Sequence, residues 1–438
     1  MARPRRAYLP LACTVVVLGL AVAFHRASDQ KAAPPLLDGM PRWWKGNLHT
    51  HSFWSDGDDF PEMIADWYRQ HKYHFLSLTD HNVLSEGQRW VDAAPKAKAL
   101  AKYVDRFGPS WVERRTVADK DKTKDKEQVR LKPLAEFRSV LEESGKFLLM
   151  PGEEITHKYG KFPVHINGIN LRDVVTPVDG PSVAEVARVH LRAVESQAEK
   201  TGWSNLAFIN HPNFGWGFRV EDMLEIDEIR YFEIFNGHPD VKNYGDKVRP
   251  SVERIWDILN AVRLNRGQPV VFGVATDDAH AYHEMSPKKA NPGRGWVQVR
   301  APHLTPEAMV KGMKKGDFYA SSGVSLDDVK SDEQGLKLKI AGAEGVRYKT
   351  QFIITRADTP IEGKPRMDDK GVPISGEYDP AIGAVVAEVE GLEPAYQFKG
   401  DELYVRARII SDRLHPNPYQ KGDVEMAWTQ PAVRKSAK

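Results

Sequence analysis

The chain has 438 residues, 41% of them hydrophobic and 28% charged, a balance that suits a globular protein with one large core and a modest second one. Its 62 basic and 60 acidic side chains leave a formal charge of +2 with no concentrated basic stripe, so no nucleic-acid partner is expected. Cys13 is the only cysteine, which excludes disulfides and thiolate metal sites from the rest of the chain.

Arg3, Arg5 and Arg6 precede an uncharged, largely apolar run over residues 7–24. Residues 1–24 therefore read as a signal peptide or a membrane anchor, and the expected location is periplasmic or otherwise extracytoplasmic, either free or held to the inner membrane by residues 7–24. Membrane contact is expected through that segment alone. Ala21 and Ala23 offer a small-residue cleavage pattern, and Arg5-Arg6 is similar to the start of a twin-arginine export signal. Residues 25–42 form a Pro/Ala-containing tether.

From residue 43, strand-like apolar runs recur at 46–51, 75–79, 147–150, 164–171, 206–210, 231–235 and 270–275. Segments of helical periodicity at 61–71, 183–199 and 252–264 alternate with them, a pattern that predicts a parallel α/β sheet or barrel over residues 43–324. The dense Lys/Asp/Glu stretch 119–132 reads as a solvated insertion. Beyond Gly323, short β-rich runs separated by Gly, Pro and Asp predict a small all-β domain over 325–432, with a frayed tail at 433–438.

Chemistry-bearing residues gather at the strand ends. His49 and His51 are spaced i, i+2, which points both imidazoles to one face of a strand. Asp56 follows in Ser-Asp-Gly, Asp80 and His81 end the second run, and Glu153 and Glu154 end the third. His165 opens the fourth, His211 follows the fifth, and Asp277, Asp278 and His280 follow the seventh. In parallel α/β architectures the C-terminal strand ends converge, so ligands distant in sequence meet there. Imidazoles and carboxylates without thiolate favour Zn, Mn or Fe.

The set His49-Thr-His51, Ser55-Asp56-Gly57, Thr79-Asp80-His81, Gly152-Glu-Glu154, Asn210-His211-Pro212 and Asp278-Ala-His280 resembles the polymerase and histidinol phosphatase (PHP) superfamily. The resemblance implies a distorted (βα)7 barrel holding two or three divalent metal ions (Mn, Fe or Zn). It implies that His49, His51, Glu154 and Asp278 hold one ion, that Glu154 bridges to a second held by His165 and His211, and that Asp56, His81 and His280 form a third site. Asp80, Glu153 and Asp277 are then the carboxylates expected to orient the ligating imidazoles.

Two ions sharing a water lower its pKa, and hydrolysis of a phosphorylated small molecule, a phosphomonoester or phosphodiester, is the expected reaction. His81 and His280 are the candidate proton donors to the leaving group, and Arg219 and His238 the candidate substrate-binding residues. The aromatic loop 214–218, directly after His211, is a candidate wall for an organic leaving group. The tail of the chain is similar to that of carbaryl-hydrolase-like proteins, which keeps a carboxylic or carbamic ester or amide hydrolase open as an alternative. A non-catalytic binding protein is the other alternative.

Overall fold

The computed structural model describes residues 39–118 and 125–434. The export segment 1–24, most of the tether and the end of the tail lie outside the described residues, among which no helix is long and apolar enough to cross a membrane.

The first elements are β1 (Arg42–Asn47), α1 (Pro61–Gln70), β2 (Phe75–Leu78), β3 (Arg89–Asp92), α2 (Ala97–Phe107), β4 (Arg114–Val117), β5 (Lys126–Leu131) and α3 (Leu134–Leu141). Then come β6 (Leu148–Tyr159), β7 (Phe162–Ile169), α4 (Val183–Thr201), β8 (Leu206–Ile209), α5 (Val220–Leu224), β9 (Tyr231–Asn236), α6 (Val252–Asn265) and β10 (Phe272–Thr276). After β11 (Trp296–Ala301), α7 (Pro306–Lys314) and β12 (Phe318–Ser321), the described chain is entirely β. Its strands are β13 (Leu326–Asp332), β14 (Gly335–Ile340), β15 (Tyr348–Arg356), β16 (Lys364–Met367), β17 (Pro373–Glu377), β18 (Ala384–Glu390), β19 (Ala395–Gln397), β20 (Glu402–Leu414), β21 (Val424–Thr429) and β22 (Ala432–Val433).

Local chemistry sets the helix ends. Ser182, Ser251 and Thr305 each accept a hydrogen bond from a backbone N–H in the first turn of α4, α6 and α7, and Gly202 closes α4 in the left-handed conformation at φ 73°. The apolar faces of α4, α5 and α6 pack on β6 to β10 through Val186, Leu191, Met223, Ile255 and Leu259. The described part of the 119–132 stretch is no solvated insertion. Residues 126–131 form β5 between β3 and β4, with Val129 and Leu131 fully buried.

Fourteen strands make one sheet in the order β10-β9-β8-β7-β6-β2-β1-β11-β12-β21-β20-β15-β18, with β22 added on β20. β1, β2 and β6 are parallel, as are β8, β9 and β10. The expected distorted (βα)7 barrel is refined in two respects, strand direction and closure. β6 and β7 are joined by the two-residue turn Gly160-Lys161, with Gly160 at φ 57°, which is too short for a crossover helix and makes them an antiparallel hairpin. The other respect is closure, because no ladder joins β10 to β1. The side-chain amide of Gln430 occupies the edge of β10, accepting from Gly273 N at 2.8 Å and donating to Gly273 O at 2.9 Å. An isolated bridge between Thr50 and Ala279 ties the two ends together just beyond β1 and β10.

From residue 39 onward the described chain is one compact unit. The sheet does not break at 324/325, since β12 pairs with β21 through Tyr319, Ala320 and Ser321.

Candidate metal centre

The ligand-type residues meet just past the ends of β1, β2, β8 and β10 and at the middle of β6 and β7. His165 lies three residues into β7, which runs antiparallel to β6. The hairpin returns it beside Glu154, opposite Thr156 in the register. The bridge at Thr50 and Ala279, with His51 N donating to Ala279 O at 2.9 Å and Asp278 N to His49 O at 3.0 Å, brings the β1 and β10 ends together. Asp278 at φ 50° and His211 at φ 21° sit in backbone conformations that L-residues adopt at a cost, held by the surrounding structure.

Four overlapping donor groups result among the described residues: His49, His51 and Glu154; His49, His211 and Asp278; Glu154, His165 and His211; and His51, Asp56, His81 and His280, each with donor atoms within 4.8 Å of one another. The Nε2 atoms of His49 and His51 both lie 3.2 Å from Asp278 Oδ1, and 3.6 and 3.4 Å from Glu154 Oε2. Both are buried and neither has a hydrogen-bond partner. Buried polar atoms left unpaired are costly, so two imidazole lone pairs converging with two carboxylates suit a cation between them. On its other oxygen, Glu154 Oε1 is 2.9 Å from His165 Nδ1 and 3.3 Å from His211 Nε2. At the mouth, Asp56 faces His81 Nε2 at 3.4 Å and His280 Nε2 at 3.3 Å. A Cβ at Gly57 would stand 2.3 Å from the His51 carbonyl oxygen, so only glycine lets the Asp56 turn lie this close.

The electrostatics favour positive charge here. Burial disfavours charge on His49, but Asp278, Glu233 and Glu154 more than offset it and hold its pKa well above the usual value. Burial likewise opposes the carboxylate forms of Glu154 and Asp278, yet the surrounding imidazoles hold both well below the usual range. His51 is pushed down to about 3 by burial and then by His280, which leaves it neutral and ready to ligate. For His81, burial is outweighed by Glu154 and Asp56, and its pKa is held at about 10.

Asp80, Glu153 and Asp277 touch no imidazole. Asp80 accepts from Ser52 N, Ser52 Oγ and Ser55 Oγ at 2.7, 2.7 and 2.6 Å and so fixes the turn that carries Asp56. Glu153, one residue from Glu154 on a strand, projects to the opposite face and accepts from Val175 N. Asp277 gathers Tyr68 Oη and the N–H groups of Gly293, Arg294 and Gly295. The orienting carboxylate is Glu233 on β9, which the sequence reading passed over. Its Oε1 accepts from His49 Nδ1 at 2.7 Å and Thr276 Oγ1 at 2.6 Å, and its Oε2 from His211 N at 2.7 Å and Asn236 Nδ2 at 2.8 Å. With Nδ1–H bound to Glu233, the His49 lone pair is at Nε2, pointing inward. Asn210 was also missed; its amide donates to Glu154 Oε1 at 2.8 Å. Glu233→Gln is expected to lower metal affinity roughly 10- to 100-fold with the fold intact. Metal titration of the purified variant checks this, and wild-type affinity would remove the orienting role.

His238 sits at the rim, its ring 5.4 Å from that of His280 and 6.1 Å from that of Phe214. Arg219 makes no hydrogen bond or ion pair to the donor cluster, because its Nε and Nη2 both engage Asp222, at 3.0 and 2.6 Å.

No family model matches the chain, and no curated protein matches it. Among solved structures, it is similar to a two-domain protein from Bacteroides vulgatus containing a predicted PHP-like metal-dependent phosphoesterase, at 15% identity over 90% of this chain and 97% of that one, with a TM-score of 0.38. An inferred metal-dependent phosphoesterase from Bifidobacterium adolescentis aligns at 12% identity over 55% of this chain and 89% of that one, with a TM-score of 0.26. An amidohydrolase from Chromobacterium violaceum, solved with sulfate and without metal, aligns at 16% identity over 56% and 93%, with a TM-score of 0.27. Overlaps this loose leave the chemistry of this chain to its own donor set.

Proposed function

We propose that this protein is a metal-dependent hydrolase of phosphate esters. The observation that carries the reading is the set of adjoining donor groups sharing Glu154 and His51, with two unpartnered buried imidazole nitrogens at its centre. His49, His51, Glu154 and Asp278 would hold one divalent ion, Glu154, His165 and His211 a second, and Asp56, His81 and His280 a third. Mn, Fe or Zn ions in such a site supply Lewis acidity, polarising phosphoryl oxygens and acidifying water. Adjoining cation sites match the several anionic oxygens of a phosphoryl group better than the single oxyanion of an acyl transfer.

The chain itself supplies positioning and protons. Glu233, Asn210 and Asn236 fix the inner residues, with Asn236 Nδ2 donating to Asp278 Oδ2 at 3.1 Å. His280 Nδ1 donates to the Asp278 carbonyl at 2.9 Å, which aims Nε2 at the mouth. With only the two inner sites filled, His81 and His280, both facing Asp56, would be placed to protonate a departing oxygen. His238 Nδ1 accepts from Asp240 N at 3.1 Å, so its proton resides on Nε2, available to a substrate oxygen. Export of the protein by its N-terminal segment belongs to the same proposal, resting on the sequence of residues 1–24.

The test compares p-nitrophenyl phosphate, bis-p-nitrophenyl phosphate and p-nitrophenyl acetate with Mn-loaded protein. Turnover of one or both phosphate esters is expected, lost on chelation and restored by Mn. Turnover of the acetate alone would replace the reading with a carboxylic ester hydrolase.

A further inference from the structure

We infer that a cavity beside the aromatic loop receives the organic part of the substrate, and that this part is a planar aromatic group bearing an acidic substituent. The placement of the ester itself rests on the phosphoesterase reading. The cavity itself does not.

The cavity encloses about 370 Å³. Its walls come from the β6–β7 hairpin through Lys161 and Phe162, from the loop after His211 through Trp216, and from β17 through Ile374, with Arg219 and Arg249 at its edges. The loop has two sides. Phe214 turns its ring to the donor cluster, 5.1 Å from the ring of His211 and 6.0 Å from that of His165, whereas Trp216 lines the cavity. A molecule whose ester lies among the imidazoles therefore has this loop as its nearest aromatic wall.

The loop is held in that shape. Gly215 at φ 55° and Trp216 at φ 54° are both left-handed, and a Cβ on Gly217 would stand 2.2 Å from the Pro163 carbonyl oxygen. A tryptophan in that conformation is strained and persists only where its surroundings impose it. The guanidinium of Arg249 lies 4.8 Å from the centre of the Trp216 ring and fixes its tilt.

The far wall is built by the C-terminal strands. Val220 N donates to Ser375 Oγ at 3.1 Å, and Gly376 N and Tyr378 Oη donate to Glu221 Oε1 at 2.9 and 3.0 Å, which pins the β16–β17 hairpin to α5. Substrate recognition is thereby a task for the β-rich part of the chain.

Charge selects the substituent. Arg219 is committed to Asp222, and Arg249 is shared between Asp246 at 2.9 Å and Asp368 at 3.5 Å. Lys161 is exposed, makes no ion pair within 4 Å among the described residues, and carries its ammonium 5.4 Å from the centre of the Phe162 ring, on the side of the cavity that Asp368 also lines. The cavity thus presents aromatic and apolar faces to a ring and, in Lys161, an exposed ammonium without a close ion-pair partner to an anion. A small alkyl ester would leave it unfilled.

The test measures binding of 4-hydroxybenzoate by calorimetry, together with kcat/KM for 4-carboxyphenyl phosphate and ethyl phosphate. Wild-type protein is expected to bind 4-hydroxybenzoate, and Trp216→Ala and Lys161→Gln each to weaken binding by about tenfold. The ratio of aryl to alkyl kcat/KM should fall by a similar factor in both variants, whose folding is checked by circular dichroism. No binding, or binding equally strong in both variants, overturns the inference, as does hydrolysis without preference for the aryl ester. Binding that responds to both substitutions while no phosphate ester is turned over supports the cavity assignment and removes the phosphoesterase reading instead.

Discussion

Asp278→Asn is expected to lose most bound metal and to lower phosphate-ester turnover by several kcal/mol of transition-state stabilisation, on the order of 10³-fold in rate. The substitution keeps the shape of the side chain and the tolerance of an Asx residue for the left-handed backbone at φ 50°, while removing the charge. What is lost is an anionic oxygen standing 3.2 Å from two imidazole nitrogens that have no other partner. His49→Ala should behave alike for a different reason, since it deletes an imidazole ligand and leaves Glu233 short of one hydrogen bond. The readouts are elemental analysis of the purified variants, initial rates with Mn added back, and thermal denaturation to confirm folding. Wild-type metal content and rate in a folded Asp278→Asn protein would break the proposed centre.

Much of that centre is legible in the sequence because ligand chemistry needs particular side chains at particular places. The i, i+2 pair His49 and His51 and the acids after strand-like runs carry their own spacing rule, and the structure brings all nine candidate ligand residues into overlapping groups. What escapes is chemistry without a local pattern. Glu233 lies mid-strand in a fully buried run, Tyr231–Asn236, where nothing in the spacing distinguishes it; its importance appears only when three donors arrive from elsewhere in the fold to join Asn236 of the same strand. Asp80, Glu153 and Asp277 mislead for the converse reason. Each adjoins a ligand in the chain, but Glu153 points to the other face of β6, and Asp80 and Asp277, just past β2 and β10, are taken up by hydroxyl and backbone N–H groups.

The fold shows the same division. Helices α1, α4 and α6 fall close to their predicted bounds because apolar periodicity and a capping Ser or Pro mark them locally. Strand direction is not local, and the alternation of strands and helices suggests a parallel barrel until the Gly160-Lys161 turn reverses one strand. The continuity of the sheet beyond residue 324 depends on β12 pairing with β21, about a hundred residues away, which periodicity does not encode.

That continuity leads to the second large effect. Asp257→Ala is expected to destabilise the protein by about 3–5 kcal/mol, the cost of stranding one member of a buried ion pair. Asp257 on α6 receives both arms of Arg406 from β20, Nε at 2.7 Å and Nη2 at 2.7 Å, and the hydroxyl of Tyr404 at 2.8 Å. Asp257 and Arg406 are 4% and 1% exposed, so water cannot replace the lost partner. Glu253, 3.2 Å from Arg406 Nη1, tempers the loss without removing it, because its other oxygen is held by Arg408 at 3.2 Å. The pair itself need not be net stabilising, since its attraction must first offset the desolvation of both charges. The double substitution Asp257→Leu with Arg406→Met should therefore recover most of the stability that Asp257→Ala loses. Guanidinium denaturation of the three proteins separates these contributions. A cost for Asp257→Ala below about 1 kcal/mol would place the pair among weakly coupled surface contacts.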